Sequence, residues 1–66
     1  MKTYLLIIKN WGIVNCQETA PATLLANANI VIQKTGDGYI ETPGRNENEA
    51  MYNGEIFAAQ QRPLSS

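Results

Sequence analysis

Four glutamates, Glu41, Glu47, Glu49 and Glu55, come nearest among the residues of this chain to a catalytic set. Paired carboxylates act as general acid and base when burial drives one pKa upward. These four lie in polar segments, a setting expected to leave them solvated and ordinary. The chain has no histidine, so neither a Ser-His nor a Cys-His nucleophile pair can be assembled. The lone cysteine, Cys16, has no cationic neighbour in sequence to favour a thiolate, and it reads as a small buried hydrophobe. Gly36-Asp37-Gly38 lacks the Gly-Lys-Ser/Thr ending of a phosphate loop and the repeated acidic ligands of a calcium loop. It reads as a hairpin turn. With no histidine, a compact zinc site would need several cysteines, and the chain has one. The expectation is a non-enzyme with no catalytic residues, no metal and no cofactor.

Six acidic side chains oppose five basic ones, for a net charge of −1. Nucleic-acid binding needs a dense cationic footprint, which this composition does not supply. A DNA mimic needs a stronger negative field than six carboxylates provide. Every carboxylate except Glu18 follows residue 36, and the mildly acidic second half reads as solvated surface. The apolar run from Tyr4 to Ile8 is too short for a signal peptide or a bilayer span. With a single free cysteine, the expected location is the cytoplasm, and no membrane partner is expected.

The elements follow from composition and spacing. Residues 3–9 are β-branched and aromatic-rich and read as a strand. Asn10-Trp11-Gly12 reads as a turn, with Gly12 able to take positive φ, and 13–17 as a second, antiparallel strand. Thr19 and Pro21 suggest a helix start, with a short helix from Ala20 to about Ala28 that turns Leu24, Leu25 and Ala28 to the sheet. Residues 30–34 and 39–42 read as a hairpin around Gly36, and 43–48 as loop. Residues 49–59 are ambiguous. Asn53-Gly54 between apolar flanks signals a hairpin, whereas Asn46 with Glu49 has capping-box spacing. The hairpin is preferred, because Asn-Gly disfavours a helix interior. The expected fold is α+β: a mostly antiparallel sheet of four to six strands in β-β-α-β-β order, with one short helix packed on one face. It forms one domain over residues 1–59, followed by a flexible tail over 60–66.

A chain of 66 residues buries only about 60% of its unfolded surface. Alternation in the first strand sets Leu5 and Ile7 on one face and Tyr4, Leu6 and Ile8 on the other. One short helix cannot cover both. The uncovered face then needs the C-terminal segment, through Met51, Ile56 and Phe57, or another molecule. Trp11 in a tight turn is a second pointer to a partner, since tryptophan is enriched at binding hot spots. The expected contacts are Trp11, Tyr4, Leu6, Arg45, Glu47, Glu49 and Tyr52.

The run from Met1 to Ile8, the segment from Gln17 to Ala26 and the strand-turn-strand from Ile30 to Thr42 together resemble a known layout. Several small phage-encoded inhibitors, including some anti-CRISPR proteins, have one helix packed on such an antiparallel sheet. The resemblance covers roughly residues 1–42 and is one of layout. It implies a stoichiometric inhibitor in the host cytoplasm that blocks a bacterial defence assembly, such as a CRISPR effector complex, by occupying a protein surface. The alternative is a structural subunit of a homo-oligomer, such as a minor virion or scaffold protein, with a homodimer as its simplest form. A nucleic-acid or small-ligand binder is the third reading.

Overall fold

The structure is a computed structural model and describes residues 2–19 and 29–63. The helix expected over 20–28 lies outside the described residues. Strands β1 (Lys2–Lys9), β2 (Gly12–Glu18), β3 (Asn29–Ile32) and β4 (Gly38–Gly44) precede helix α1 (Glu47–Gln61). All strand pairs are antiparallel, and the spatial order is β2-β1-β4-β3. The described fold is therefore α+β, with four strands and one helix in β-β-β-β-α order. Four strands lie within the four to six expected, whereas the order among the described residues differs from β-β-α-β-β.

Register carries the alternation of β1 across the sheet. Leu6 stands opposite Cys16 on one side and Ile40 on the other, and Ile40 stands opposite Ile30. Ile8 likewise heads a row through Ile13, Gly38 and Ile32. Directly opposed residues share a face. These rows lie under α1, where Leu6, Ile8, Ile40 and Ala58 form the core. Met51 and Phe57 close over it from the helix.

The hairpin expected at 49–59 is instead the middle of α1. Two local features decide this. Asn46 caps the helix, its side-chain oxygen accepting from the Glu49 N–H at 2.9 Å. The Glu49 carboxylate reaches back to accept from the Arg45 N–H at 3.4 Å. A cap of this kind stabilises a helix by about 1 kcal/mol. The second feature is Gly54, which is a packing residue here and not a turn residue. A Cβ at Gly54 would collide with the Leu6 Cδ1 methyl and lie 3.2 Å from Ile13 Cδ1. Ala50, Gly54 and Ala58, one turn apart, form the buried stripe that lets α1 settle onto the sheet. Glycine costs a helix interior about 1 kcal/mol, and the close approach to Leu6 offsets that cost.

Two boundaries also move. The helix continues through Gln61, so Gln60 and Gln61 are not part of a tail, and the Arg62 N–H closes the last turn on the Ala58 carbonyl at 3.0 Å. Strand β4 runs on to Gly44, through Pro43, which was expected to begin a loop. Pro43 is opposite Thr3, and its nitrogen faces the β3 side, beyond the last described pair, Asn29 with Glu41. No described ladder bond is lost there.

The helix–sheet contact gives the first prediction. Gly54→Ala should lower stability by about 1–3 kcal/mol through overpacking against Leu6, despite alanine's better helix propensity. Glu55→Ala, on the exposed side of the same turn, should leave it nearly unchanged. Urea denaturation of the two variants measures this. A Gly54→Ala chain as stable as the wild type would refute the close approach.

Candidate binding surface at the paired turns

Lys9 and Gly12 are the last pair of the β1–β2 ladder, so Asn10 and Trp11 alone make the turn. Their φ angles are +50° and +67°. Such a two-residue turn needs positive φ at both positions, and it matches the right-handed twist of the strands. Gly12, expected to supply the positive φ, does not do so. Asparagine tolerates this conformation, whereas a bulky residue such as tryptophan is held in it at about 1–2 kcal/mol.

The neighbouring turn holds Trp11 in place. The Trp11 N–H donates to the Gly36 carbonyl at 3.0 Å. The Asn10 N–H donates to Asp37 Oδ1 at 3.2 Å. Asp37 Oδ2 accepts from the Thr35 hydroxyl at 3.2 Å, which fixes the carboxylate. The Trp11 ring lies against Gly36, where a Cβ would fall 2.7 Å from both Cδ1 and Nε1. Gly36 itself has φ +91°, so glycine is required there twice, once for conformation and once for the ring. The Gln33 N–H to Asp37 carbonyl bond and the Gly36 N–H to Gln33 carbonyl bond, both 2.8 Å, close this second turn. The hairpin turn read at Gly36-Asp37-Gly38 is thus also the seat of Trp11. The ring remains half-exposed.

Beside the paired turns lies the sheet face turned away from α1. Exposed Lys9, paired with Gly12, lies on it next to the turns; the following row runs Asn15, Ile7, Tyr39, Val31, and the one after runs Gln17, Leu5, Glu41, Asn29. Asn29 Nδ2 donates to Glu41 Oε1 across that last row at 3.3 Å. No described element packs on this face, and Val31 on it is 45% exposed. The ladder of β1 with β2 shifts register between Ile7 and Ile8, which leaves Val14 bulged and exposed.

The expected contact residues separate into three places. Trp11 sits at the paired turns. Tyr4 and Leu6 were expected at the surface, but they are buried under α1, Leu6 completely. The C-terminal segment covers their side of the sheet; among the described residues no element covers the side of Leu5 and Ile7, which are themselves partly buried. Arg45, Glu47 and Glu49 gather at the start of α1, next to Gly44, which pairs with Lys2 at the end of the sheet away from Trp11. Glu49 is engaged there as a cap. Tyr52 is exposed on α1, with Ile56 exposed one turn on. Gly36, Asp37, Tyr39 and Val31 were not among the expected contacts. Turn chemistry alone says nothing of which other turn lies beside it, and the open face follows only once the helix is placed.

Among the described residues, two titrating groups are perturbed. Burial pushes the Cys16 thiol upward, and the negative charge of Glu47 adds to this. Lys2 is raised by its hydrogen bond and charge pairing with Glu18, at 3.2 Å on the exposed rim of the sheet. No described helix is long and apolar enough to cross a membrane. No protein family, curated protein or solved structure matches the chain.

Two predictions follow from this geometry. Gly36→Ala should destabilise the chain by about 1–3 kcal/mol, because it strains the turn and displaces the Trp11 ring. Thr35→Val, which removes only the hydroxyl bond to Asp37, should cost less. Thermal denaturation distinguishes them, and equal effects would contradict the seating of Trp11 on Gly36. Cys16 should alkylate more slowly in the folded chain than in denaturant at pH 8.5, because its raised pKa leaves less thiolate. Equal rates would show that the thiol is neither buried nor disfavoured by Glu47.

Proposed function

We propose that this chain is a non-catalytic protein-binding module whose contact surface is the paired-turn end with the adjoining open sheet face. The observation that carries the reading is Trp11 itself. A bulky aromatic in a left-handed turn is strained, and backbone strain of this kind clusters at functional sites. Here the strain fixes a half-exposed ring in one position, seated on Gly36, so little side-chain entropy remains to be lost on binding. The exposed Val31 and the Ile7–Tyr39 row supply apolar area next to it. The resemblance of residues 1–42 to small phage-encoded inhibitors of the anti-CRISPR type, drawn from the sequence, supports the specific reading; the described helix, Glu47–Gln61, lies outside that stretch. The specific reading is stoichiometric inhibition of a bacterial defence complex by occupation of a protein surface, in the host cytoplasm.

The test has two arms. In cells with an active CRISPR system, expression of the chain should restore plating of a targeted phage, and Trp11→Ala should abolish the effect. Unchanged plating across the effector types tested would sink the inhibitor reading. In capture from the same cells, Trp11→Ala should weaken recovery of the bound protein about thirtyfold, as for a hot-spot residue costing about 2 kcal/mol. Tyr52→Ala should retain it. Equal recovery by both variants, each shown to be folded, would remove Trp11 from the contact surface.

A further inference from the structure

The two edges of the sheet are finished differently. In an antiparallel ladder, hydrogen-bonded and non-hydrogen-bonded pairs alternate. The Thr19 N–H donates to the Thr3 carbonyl at 2.8 Å, so alternation turns the amides of Cys16 and Glu18 away from β1, to the outer edge of β2. At Cys16 that outward N–H is already occupied, donating to Asn15 Oδ1 at 2.9 Å. The bulge at Val14 lies beside it. Glu18 adds a charge further along the same edge. Bulges and charges are ordinary means of protecting an edge strand from a second chain.

Strand β3 carries none of these protections. Asn29-Ile30-Val31-Ile32 has no charge, no proline and no bulge, and its last three residues are β-branched. The Gln33 N–H bonds to the Asp37 carbonyl in register with the β3–β4 ladder. By alternation Asn29 and Val31 face β4, while Ile30 and Ile32 turn amide and carbonyl outward. Among the described residues no strand lies beyond β3. Its side chains are also incompletely covered. Helix α1 lies chiefly over β2 and β4, which leaves Ile30 and Ile32 only half-buried at the rim of the core.

We propose that this edge pairs with the same edge of a second copy of the chain, antiparallel about a two-fold axis at Val31, joining two four-stranded sheets into one. The register follows from the alternation. Ile30 of each copy stands opposite Ile32 of the other, in pairs that exchange both backbone hydrogen bonds. Val31 meets Val31 of the second copy in the non-hydrogen-bonded site, where side chains come closest. A second copy fits better than an unrelated strand because Ile-Val-Ile is symmetric about Val31. One axis therefore gives every outward group of the two isoleucines a partner. Asn29 meets Gln33, so no like charges oppose, and Lys34 lies outside the paired run. The isoleucines complete each other's cover on the helix side. On the other side the two Val31 side chains extend the Ile7–Tyr39 rows into one apolar strip. This pairing does not rest on the binding role of Trp11.

Sedimentation equilibrium of the wild type, Val31→Lys and Val14→Lys tests it, with circular dichroism confirming that each is folded. The wild type should pass from monomer to dimer as concentration rises. Val31→Lys sets two like charges in the closest pair and should weaken association about tenfold or more. Val14→Lys, on the protected edge, should behave as the wild type. Should Val31→Lys fail to fold, Val31→Cys with Cys16→Ser gives an independent readout. The axis at Val31 brings the two sulfurs within disulfide range, and mild oxidation should trap a covalent dimer. A wild type that stays monomeric, a dimer that Val31→Lys leaves intact, or a Val31→Cys chain that does not cross-link would each overturn the proposal.

Discussion

The contact between Gly54 and Leu6 is the constraint on which the rest of the structure depends. Without a side chain at Gly54, the helix axis can approach the sheet until the Leu6 methyl fills the space that a Cβ would occupy. That approach brings Ala50 against Gly44, where a Cβ would lie 3.2–3.3 Å from Ala50 atoms, and buries Ala58 one turn past Gly54. Small residues on the helix meet large ones on the sheet, so the core is supplied mainly by the strands. Leu6, Ile8 and Ile40 are all but completely buried. Once α1 occupies that side, the alternation of β1 leaves Leu5 and Ile7 on the other.

Much of the sheet was legible in the chain. The continuous apolar run of β1, the β-branched run of β3 and the glycine-punctuated turns each mark their element in local terms. Asn53-Gly54 was misleading because one residue type serves two purposes. Glycine relieves a turn, and it also permits close packing, and only the partner surface tells these apart. The cap at Asn46 and Glu49 was the better guide, since its reciprocal spacing has few meanings outside a helix start. The placement of Tyr4 and Leu6 at an exposed surface failed for the same reason. Their shared face was read correctly, but which face the chain itself covers depends on a tertiary contact made by residues nearly fifty positions on.

Trp11 shows how a local anomaly is sustained from a distance. The turn between β1 and β2 has the length its strands require but not the residue usually found there. Its strain is held by Gly36 and Asp37, which belong to the turn between β3 and β4. The two turns therefore act as one unit. Asp37, which looks like an ordinary hairpin residue, secures a backbone amide 27 positions away.

The order β2-β1-β4-β3 places the first and last described strands side by side at the centre of the sheet. Lys2 pairs with Gly44, so the middle of the sheet closes a loop of most of the chain, and the covering helix comes later still. Only the β1–β2 and β3–β4 hairpins are local. The nucleus of such a topology must close that long loop before its central contacts form, which slows the search. A chain emerging from the ribosome exposes the β1 hydrophobic run until residues past Gly54 have been released. Until that helix has been made, the hydrophobic run of β1 has no cover from the described part of the chain.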